Sequence, residues 1–333
     1  MAGASKEQGE AWRTMIGLAR GRFSARSFAI FSSLVTGWVL APGRRSVTGM
    51  ICAGDPEGRR AHDAYHRFFR ASKWSTNALW RPLVVHMVAL LCPGGTILLD
   101  LDDTLYKKSG RKIDGAGTFR DAVRSTCNKV VYATGLNLVV VTLRVAPPWG
   151  GMPVGVPVGV RLHRKGGPTT TELAAEILVE LAGWLPDRCF SLCADGAYAT
   201  LAGRRLPRTT VTSRMRRDAA LYEPAPPRTG RRGRPRTKGA RLATPAAMAG
   251  GLANDAFSAL AVAWCADGPR ISSSGRLRCC GTRWTRGASC SSSSCVIQRA
   301  SWAMTCSSPP ISTRLRAQSL PPMPVAFDRV RQP

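Results

Sequence analysis

Three aspartates follow short apolar runs in this chain. Asp102 and Asp103 come directly after residues 97–101, and Asp195 comes directly after residues 189–194. Such a run is typical of a strand buried on both faces, and the acid at its end then lies at the edge of a sheet. Carboxylate oxygens are suitable ligands for hard divalent cations. The three aspartates therefore predict a site for magnesium or manganese.

The charge of the chain points to a polyanionic partner. Its 333 residues include 48 Lys and Arg against 20 Asp and Glu, which gives a net charge of +28. This balance is too uneven for a typical metabolic enzyme, and it favours phosphate binding with release of counterions. The alternative is a solvated basic surface without a partner. Combined with a metal site, the charge predicts chemistry on nucleic acid.

The sequence predicts a cytoplasmic protein without a membrane partner. The apolar stretch 28–41 is shorter than the roughly 20 residues that a spanning helix needs, and we expect a buried helix there. Six of the eleven cysteines follow residue 264, at spacings that match no zinc motif, and no histidine follows His163. We therefore expect reduced cysteines that bind no metal.

The first part of the chain, residues 1–94, is predicted to be helical. Apolar residues recur at three- and four-residue spacing in 10–20, 25–40 and 63–91. Arginines interrupt these segments throughout. The pattern fits a small helical region that contacts the DNA backbone, and it fits a structural helical cap almost equally well.

A change of period after residue 96 marks the beginning of a predicted sheet. The run 97–101 is followed by two strand-like segments, 129–145 and 154–163. The turn 146–153 between them is too short to contain a helix, so these strands should be antiparallel neighbours. Pro157 within the second segment predicts an edge strand.

The remaining predicted elements define the fold class. Thr169 and Glu172 form a capping box at the start of a helix, and strands ending at Asp195 and covering 209–215 follow. This order predicts an α/β fold, a ribonuclease-H-like mixed sheet flanked by helices. In that sheet the first and fourth strands end side by side, so that Asp195 and the earlier aspartates could share metal ions.

Several motifs resemble DDE-type transposases of bacterial insertion sequences. The segment from Leu98 to Lys112 is similar to their first acidic motif. The resemblance extends over about residues 10–255 and is strongest across 95–245. The further motifs that carry it are Arg120–Ser125, Leu162–Pro168, Cys193–Tyr198 and Ser213–Asp218.

The resemblance implies a reaction and a ligand set. Asp103, which precedes Thr104, would be the first metal ligand and Asp195 the second, with Asp102 as the alternative to Asp103. Two Mg²⁺ or Mn²⁺ ions would activate the attacking oxygen and stabilise the leaving oxygen during DNA cleavage and strand transfer. The implied partners are the element ends and target DNA, with a possible homo-oligomer assembled on DNA.

A second motif overlaps the first. Asp100, Asp102 and Thr104 also fit the Asp-x-Asp-x-Thr motif of haloacid-dehalogenase-type phosphatases. In that interpretation Asp100 would attack phosphorus and Asp102 would act as acid and base. That fold has a parallel sheet, however, whereas the sequence predicts two consecutive antiparallel strands. The net charge also disfavours a small-molecule phosphatase.

Two basic segments are candidate DNA contacts. The five residues from Arg232 to Arg236 resemble an AT-hook core, whose arginines enter a narrow minor groove. The alternative is a disordered basic linker within an insertion at 222–245. The basic loop after the first acidic strand could position the DNA backbone or be a solvated loop. The predicted contacts are Lys107, Lys108, Arg111, Lys112, Arg232, Arg234 and Arg236.

The third carboxylate of the DDE site is missing. In the transposases it is a glutamate on a late helix, whereas this chain has no glutamate after Glu223, which lies in a proline-rich stretch. Residues 256–333 contain ten Lys and Arg but two acids and lack regular periodicity. We expect a core at 95–255 and an irregular tail, either disordered or out of frame from about 260–270. A catalytic defect follows, with a non-catalytic DNA-binding remnant as the alternative.

Overall fold

The computed structural model describes most of the chain as far as residue 251 and five strands beyond it. The described residues are 2–71, 73–110, 112–126, 128–214, 218–223, 226, 236, 238–251, 258–264, 268–278, 280–281, 293–298 and 302–306. The chain divides into two compact units, Met1–Pro93 and Gly94–Pro333. No helix within the described residues is both long and apolar enough to span a membrane.

The first unit is helical, as predicted. Its core consists of Ile30, Leu34, Tyr65 and Phe68, with Trp74 packed against them. The side chains of Ser24 and Ser46 accept backbone N–H groups at the starts of the second and third helices. The helices are α1 (Ala2–Gly17), α2 (Ala25–Leu40), α3 (Val47–Gly54), α4 (His62–Ala71) and α5 (Thr76–Leu91).

The prediction of one continuous helix over 63–91 is wrong, because α4 ends at Ala71 and α5 begins at Thr76. The Trp74 indole donates to the carbonyl oxygen of Phe68 at 3.3 Å and stacks on its ring, with 5.5 Å between the ring centroids. This contact folds the chain back before α5 begins. Helical periodicity on both sides of the break hides it in the sequence.

The second unit contains the predicted ribonuclease-H-like sheet. Its elements are β1 (Ile97–Lys107), β2 (Gly117–Arg120), β3 (Tyr132–Val145), β4 (Val154–His163), α6 (Thr170–Trp184), β5 (Phe190–Ala194) and β6 (Thr209–Arg214). The central strands lie in the order β4-β3-β1-β5-β6, and β2 pairs with the far end of β3. Strand β3 is antiparallel to both β1 and β4, whereas β5 and β6 run parallel to β1.

Helix α6 covers one face of this sheet. Its capping box is present as predicted, with reciprocal hydrogen bonds between Thr169 and Glu172. An ion pair of 2.6 Å joins Glu180 to Arg161 on β4. A side chain at Gly159 would place its Cβ 2.4 Å from a methyl carbon of Ile177, so the close approach of β4 and α6 requires glycine. The buried side chains of α6 are Leu173, Ala174, Ile177, Leu178, Leu181 and Ala182.

The edge position predicted for the strand with Pro157 is confirmed for the described sheet. Strand β4 pairs with β3 alone, and its register shifts opposite the step from Val141 to Thr142. A bulge at this point accommodates the proline, which has no N–H to donate to the ladder.

Two short elements follow β6 before the predicted tail, β7 (Leu221–Tyr222) and α7 (Pro245–Gly251). The strands described within residues 256–333 are β8 (Ser258–Trp264), β9 (Gly268–Arg278), β10 (Cys280–Gly281), β11 (Ser293–Gln298) and β12 (Trp302–Cys306). Strand β12 pairs with β6, and β11, β9 and β8 continue the sheet in antiparallel fashion. Their pairing partners lie far along the chain or within the tail itself, so local periodicity does not signal them.

Candidate active site

The predicted acids lie where the pairing of β1 with β5 ends. The expectation that the first strand ends at Asp102 and Asp103 is wrong, because β1 continues along β3 as far as Lys107. Strand β1 pairs in parallel with β5 as far as Leu101 opposite Ala194. The next residues on the two strands are Asp102 and Asp195. Because adjacent strands lie about 4.8 Å apart, these two backbone positions are neighbours. The expected convergence of the first and fourth strands of the core is thus present in the backbone.

Side chains alternate between the two faces of β1, so Asp102 and Asp103 lie on opposite faces of the strand. Strand β1 pairs with β3 without a register shift from Leu99 to Lys107, so successive side chains point to opposite faces. Asp103 therefore shares a face with buried Leu101, and Asp102 shares the other face with Asp100. The register alone places Asp102 beside Asp195. Asp102 and Asp103 are both exposed.

A hydrogen bond links Asp103 to the short helical segment that follows Asp195. The hydroxyl of Tyr198 donates to Asp103 Oδ1 at 3.2 Å. Tyr198 follows Asp195 by three positions, in a 3₁₀ helix at Gly196–Gly203, and only 1% of its surface is exposed. Burial raises the pKa of the Tyr198 hydroxyl, and the nearby Asp103 carboxylate raises it further. The hydroxyl is therefore a neutral donor at physiological pH.

Asp195 has a fixed backbone at the end of β5. Its Oδ1 accepts the N–H of Ala197 at 2.9 Å, so the side chain caps the 3₁₀ helix. Its carbonyl oxygen accepts the hydroxyl of buried Ser213 on β6 at 2.7 Å. On β1, Asp102 Oδ1 accepts the N–H of Asp103 at 2.8 Å. These local bonds order the carboxylates without burying them.

Asp100 has a different environment from the acids that follow it. Arg144 on β3 donates to both carboxylate oxygens, with 2.8 Å between its Nε and Oδ2. The two side chains are 20% and 19% exposed. The hydrogen bond to Asp100 raises the pKa of the Arg144 guanidinium. Asp100, the nucleophile of the phosphatase interpretation, is thus held by a cation, and the sheet around it is mixed.

The basic residues predicted to contact DNA differ in their exposure and in the groups that they contact. The ammonium of Lys107 forms a 2.7 Å ion pair with buried Asp121, and that of Lys108 lies 4.8 Å from the centroid of the Tyr106 ring. Lys112 and Arg236 are exposed. Lys107 therefore anchors a neighbouring loop. Three predicted contacts lie outside the described residues, namely Arg111, Arg232 and Arg234.

No role is predicted from the sequence for three residues of this region, Tyr198, Asp121 and Arg144. Tyr198 and Asp121 lie inside the motifs that carry the family resemblance, which is a signal that could have identified them. Arg144 has no comparable signal, because its partner Asp100 lies 44 positions earlier. A charged residue in a strand whose other residues are uncharged was the available indication.

The acids fit a hard divalent cation in chemical type. They are exposed carboxylates just beyond the last pair of β1 with β5, and carboxylate oxygens are suitable ligands for magnesium or manganese. Their number is small, because no group of three or more potential ligand side chains converges within the described part of the chain. The donor set matches the type of cation but provides an incomplete shell.

Comparison with known families identifies the family of the chain. The family model described as DDE superfamily endonuclease matches residues 22–265, which is well over half of the chain. The chain therefore belongs to the DDE superfamily endonucleases, a transposase-type family that acts on DNA and generally uses divalent metal ions. No curated protein matches the chain.

Proposed function

We propose that this protein is a transposase-derived DNA-binding protein in which Asp103 and Asp195 hold a divalent cation, Mg²⁺ or Mn²⁺. The observation that carries the proposal is the parallel register of β1 and β5, whose last pair, Leu101 and Ala194, lies two residues before Asp103 and one residue before Asp195. Family membership supports DNA as the substrate. The net charge of +28 supports binding to its phosphates.

Two observations bear on the first ligand. The hydrogen bond from Tyr198 supports Asp103, because it ties this carboxylate to the segment that Asp195 begins. The ladder register supports Asp102, which is the direct neighbour of Asp195. We propose Asp103 as the ligand and Asp102 as its alternative, as the motif resemblance also implies.

The side chains around the site have separate tasks in this proposal. The pair of Asp100 and Arg144 holds β1 against β3, and Ser213 fixes the backbone of Asp195. Asp103 and Asp195 bind and orient the cations, and exposed basic residues such as Lys112 bind the DNA backbone. When two divalent ions are bound in a complete site, they supply activation of the attacking oxygen and stabilisation of the leaving oxygen.

We further propose that the chain is catalytically defective. Two of the three glutamates of α6 have other partners, since Glu172 caps the helix and Glu180 pairs with Arg161. The match to the family ends at residue 265. This end point supports a change of reading frame at about 260–270, before the expected glutamate. Two carboxylates alone hold a metal pair poorly.

The test combines a gel-shift assay with a nicking assay. The probes are a duplex carrying the ends of the element from its own locus and an unrelated duplex of equal length. We expect the protein to bind DNA without Mg²⁺-dependent nicking, and Asp195→Ala to leave binding unchanged. Nicking that Asp195→Ala abolishes would contradict the proposed defect. Failure to bind either duplex would contradict the DNA-binding function.

The phosphatase alternative has its own test. Asp100 and Arg144 form a largely buried ion pair, so we expect no hydrolysis of small phosphate esters. Hydrolysis that is lost in Asp100→Asn but retained in Asp195→Asn would overturn the DNA-directed proposal.

A further inference from the structure

We infer that Tyr198 is a positioning residue, whose hydroxyl fixes the Asp103 carboxylate for a divalent cation held by Asp103 and Asp195. The inference rests on the proposed function, because it assigns Tyr198 a role toward that cation.

The contact joins a buried group to an exposed one. The Tyr198 hydroxyl lies 3.2 Å from Asp103 Oδ1, although the residues are 95 positions apart in the sequence. Tyr198 is 1% exposed, whereas Asp103 is exposed at the end of the sheet. A buried hydroxyl requires a hydrogen-bond partner. Here that partner is one of the acids that follow the last β1–β5 pair.

The direction of the hydrogen bond follows from the groups involved. An ionised carboxylate can only accept, so Tyr198 donates its proton to Asp103. The Tyr198 hydroxyl is thereby directed from the 3₁₀ helix toward β1.

The position of Tyr198 connects the two candidate ligands. Asp195 begins the 3₁₀ helix, and Tyr198 lies within the same short segment. Ser213 anchors the start of this segment to β6. One segment therefore carries one ligand and the residue that orients the other. Hydrogen bonds of this kind to metal ligands typically change metal affinity by about 10–100-fold.

The experiment measures Mn²⁺ binding to the full chain, using the electron paramagnetic resonance signal of the free ion. The variants are Tyr198→Phe, which removes one oxygen atom, and Asp103→Asn and Asp195→Asn, which remove charges. Tyr106→Phe is the matched control, because Tyr106 lies on β1 with 54% of its surface exposed. Circular dichroism establishes that each variant is folded.

We expect binding by the unchanged protein, its loss in Asp103→Asn and Asp195→Asn, and affinity weakened about tenfold in Tyr198→Phe. Tyr106→Phe should bind like the unchanged protein. Because Tyr198 acts through Asp103, adding Tyr198→Phe to Asp103→Asn should leave any residual affinity unchanged. If Tyr198 had a structural role alone, Tyr198→Phe would weaken Mn²⁺ binding equally in the unchanged protein and in Asp103→Asn.

The measurements distinguish a failure of the positioning role of Tyr198 from a failure of the proposed metal site. If Asp103→Asn and Asp195→Asn lose binding but Tyr198→Phe retains full affinity, the positioning role is overturned and the proposed metal site stands. If the unchanged protein binds no Mn²⁺, both the proposed site and the role of Tyr198 are overturned. An equal further loss in the double variant would also overturn the positioning role.

Discussion

The two halves of β1 carry acids of the same type in opposite environments. In the first half, Asp100 lies between paired strands and is neutralised by Arg144. In the second half, Asp102 and Asp103 are exposed beyond the last pair with β5. Where β5 runs beside β1, the carboxylate pairs with an arginine of the sheet, and beyond the end of β5 the carboxylates are exposed. We call these parts the paired half (Ile97–Leu101) and the open half (Asp102–Lys107).

The largest expected effect is on stability in the paired half. Asp100→Ala leaves the Arg144 guanidinium without its partner at a position that is 19% exposed. Removing one member of a buried ion pair costs about 3–5 kcal/mol, and we expect about 3 kcal/mol here because both groups retain some solvent contact. The free energy of unfolding in urea measures this loss.

Asp102→Ala in the open half is the matched control for that change. It lies two positions further along the same strand and is exposed. We expect its free energy of unfolding to stay within about 0.5 kcal/mol of the unchanged protein. Equal losses for the two variants would show that the halves do not differ in the way proposed.

A second prediction concerns pH at the far end of the open half. The hydrogen bond from Lys107 lowers the pKa of Asp121, although burial opposes this shift. Because the folded-state pKa lies below the ordinary value of 3.8, this stabilisation is complete above that value. It is lost as pH falls through the lowered folded-state pKa. Stability should therefore fall as the pH is lowered below 3.8.

Asp121→Asn isolates this contribution. The variant should be less stable than the unchanged protein at neutral pH, and its stability should depend less steeply on pH in the acidic range. Asp187→Asn, at an exposed position, serves as the control. Parallel pH profiles for the unchanged protein and Asp121→Asn would contradict a role for the Lys107 contact.

The smallest expected effect is that of Asp103→Asn on folding. The amide oxygen of asparagine can still accept the Tyr198 hydroxyl, and the position is exposed. We expect a change in the free energy of unfolding of less than about 0.5 kcal/mol. A loss as large as that of Asp100→Ala would place Asp103 among the residues that hold the fold together.

Much of the sheet could be predicted because short-range constraints determine it. The turn between β3 and β4 has no room for a helix, so the strands had to be antiparallel. The capping box of Thr169 and Glu172 located the start of α6. With the apolar runs before Asp102 and Asp195, these signals were sufficient for the ribonuclease-H-like order.

What the sequence did not predict depends on contacts between distant residues. The pair of Asp100 and Arg144 and the bond from Tyr198 to Asp103 join positions far apart in the chain. The break before Trp74 depends on a ring that stacks back on α4. The choice between Asp102 and Asp103 likewise depends on the register of β1 against β5, which no local pattern encodes.

The most direct test of the central claim is a crystal of the protein soaked in MnCl₂ and measured at a wavelength that gives anomalous signal from manganese. The account predicts a peak within bonding distance of carboxylate oxygens from Asp103 and Asp195. A peak shared by Asp102 and Asp195 would select the alternative first ligand. Manganese bound elsewhere, or carboxylates of β1 and Asp195 that share no ion, would contradict the account.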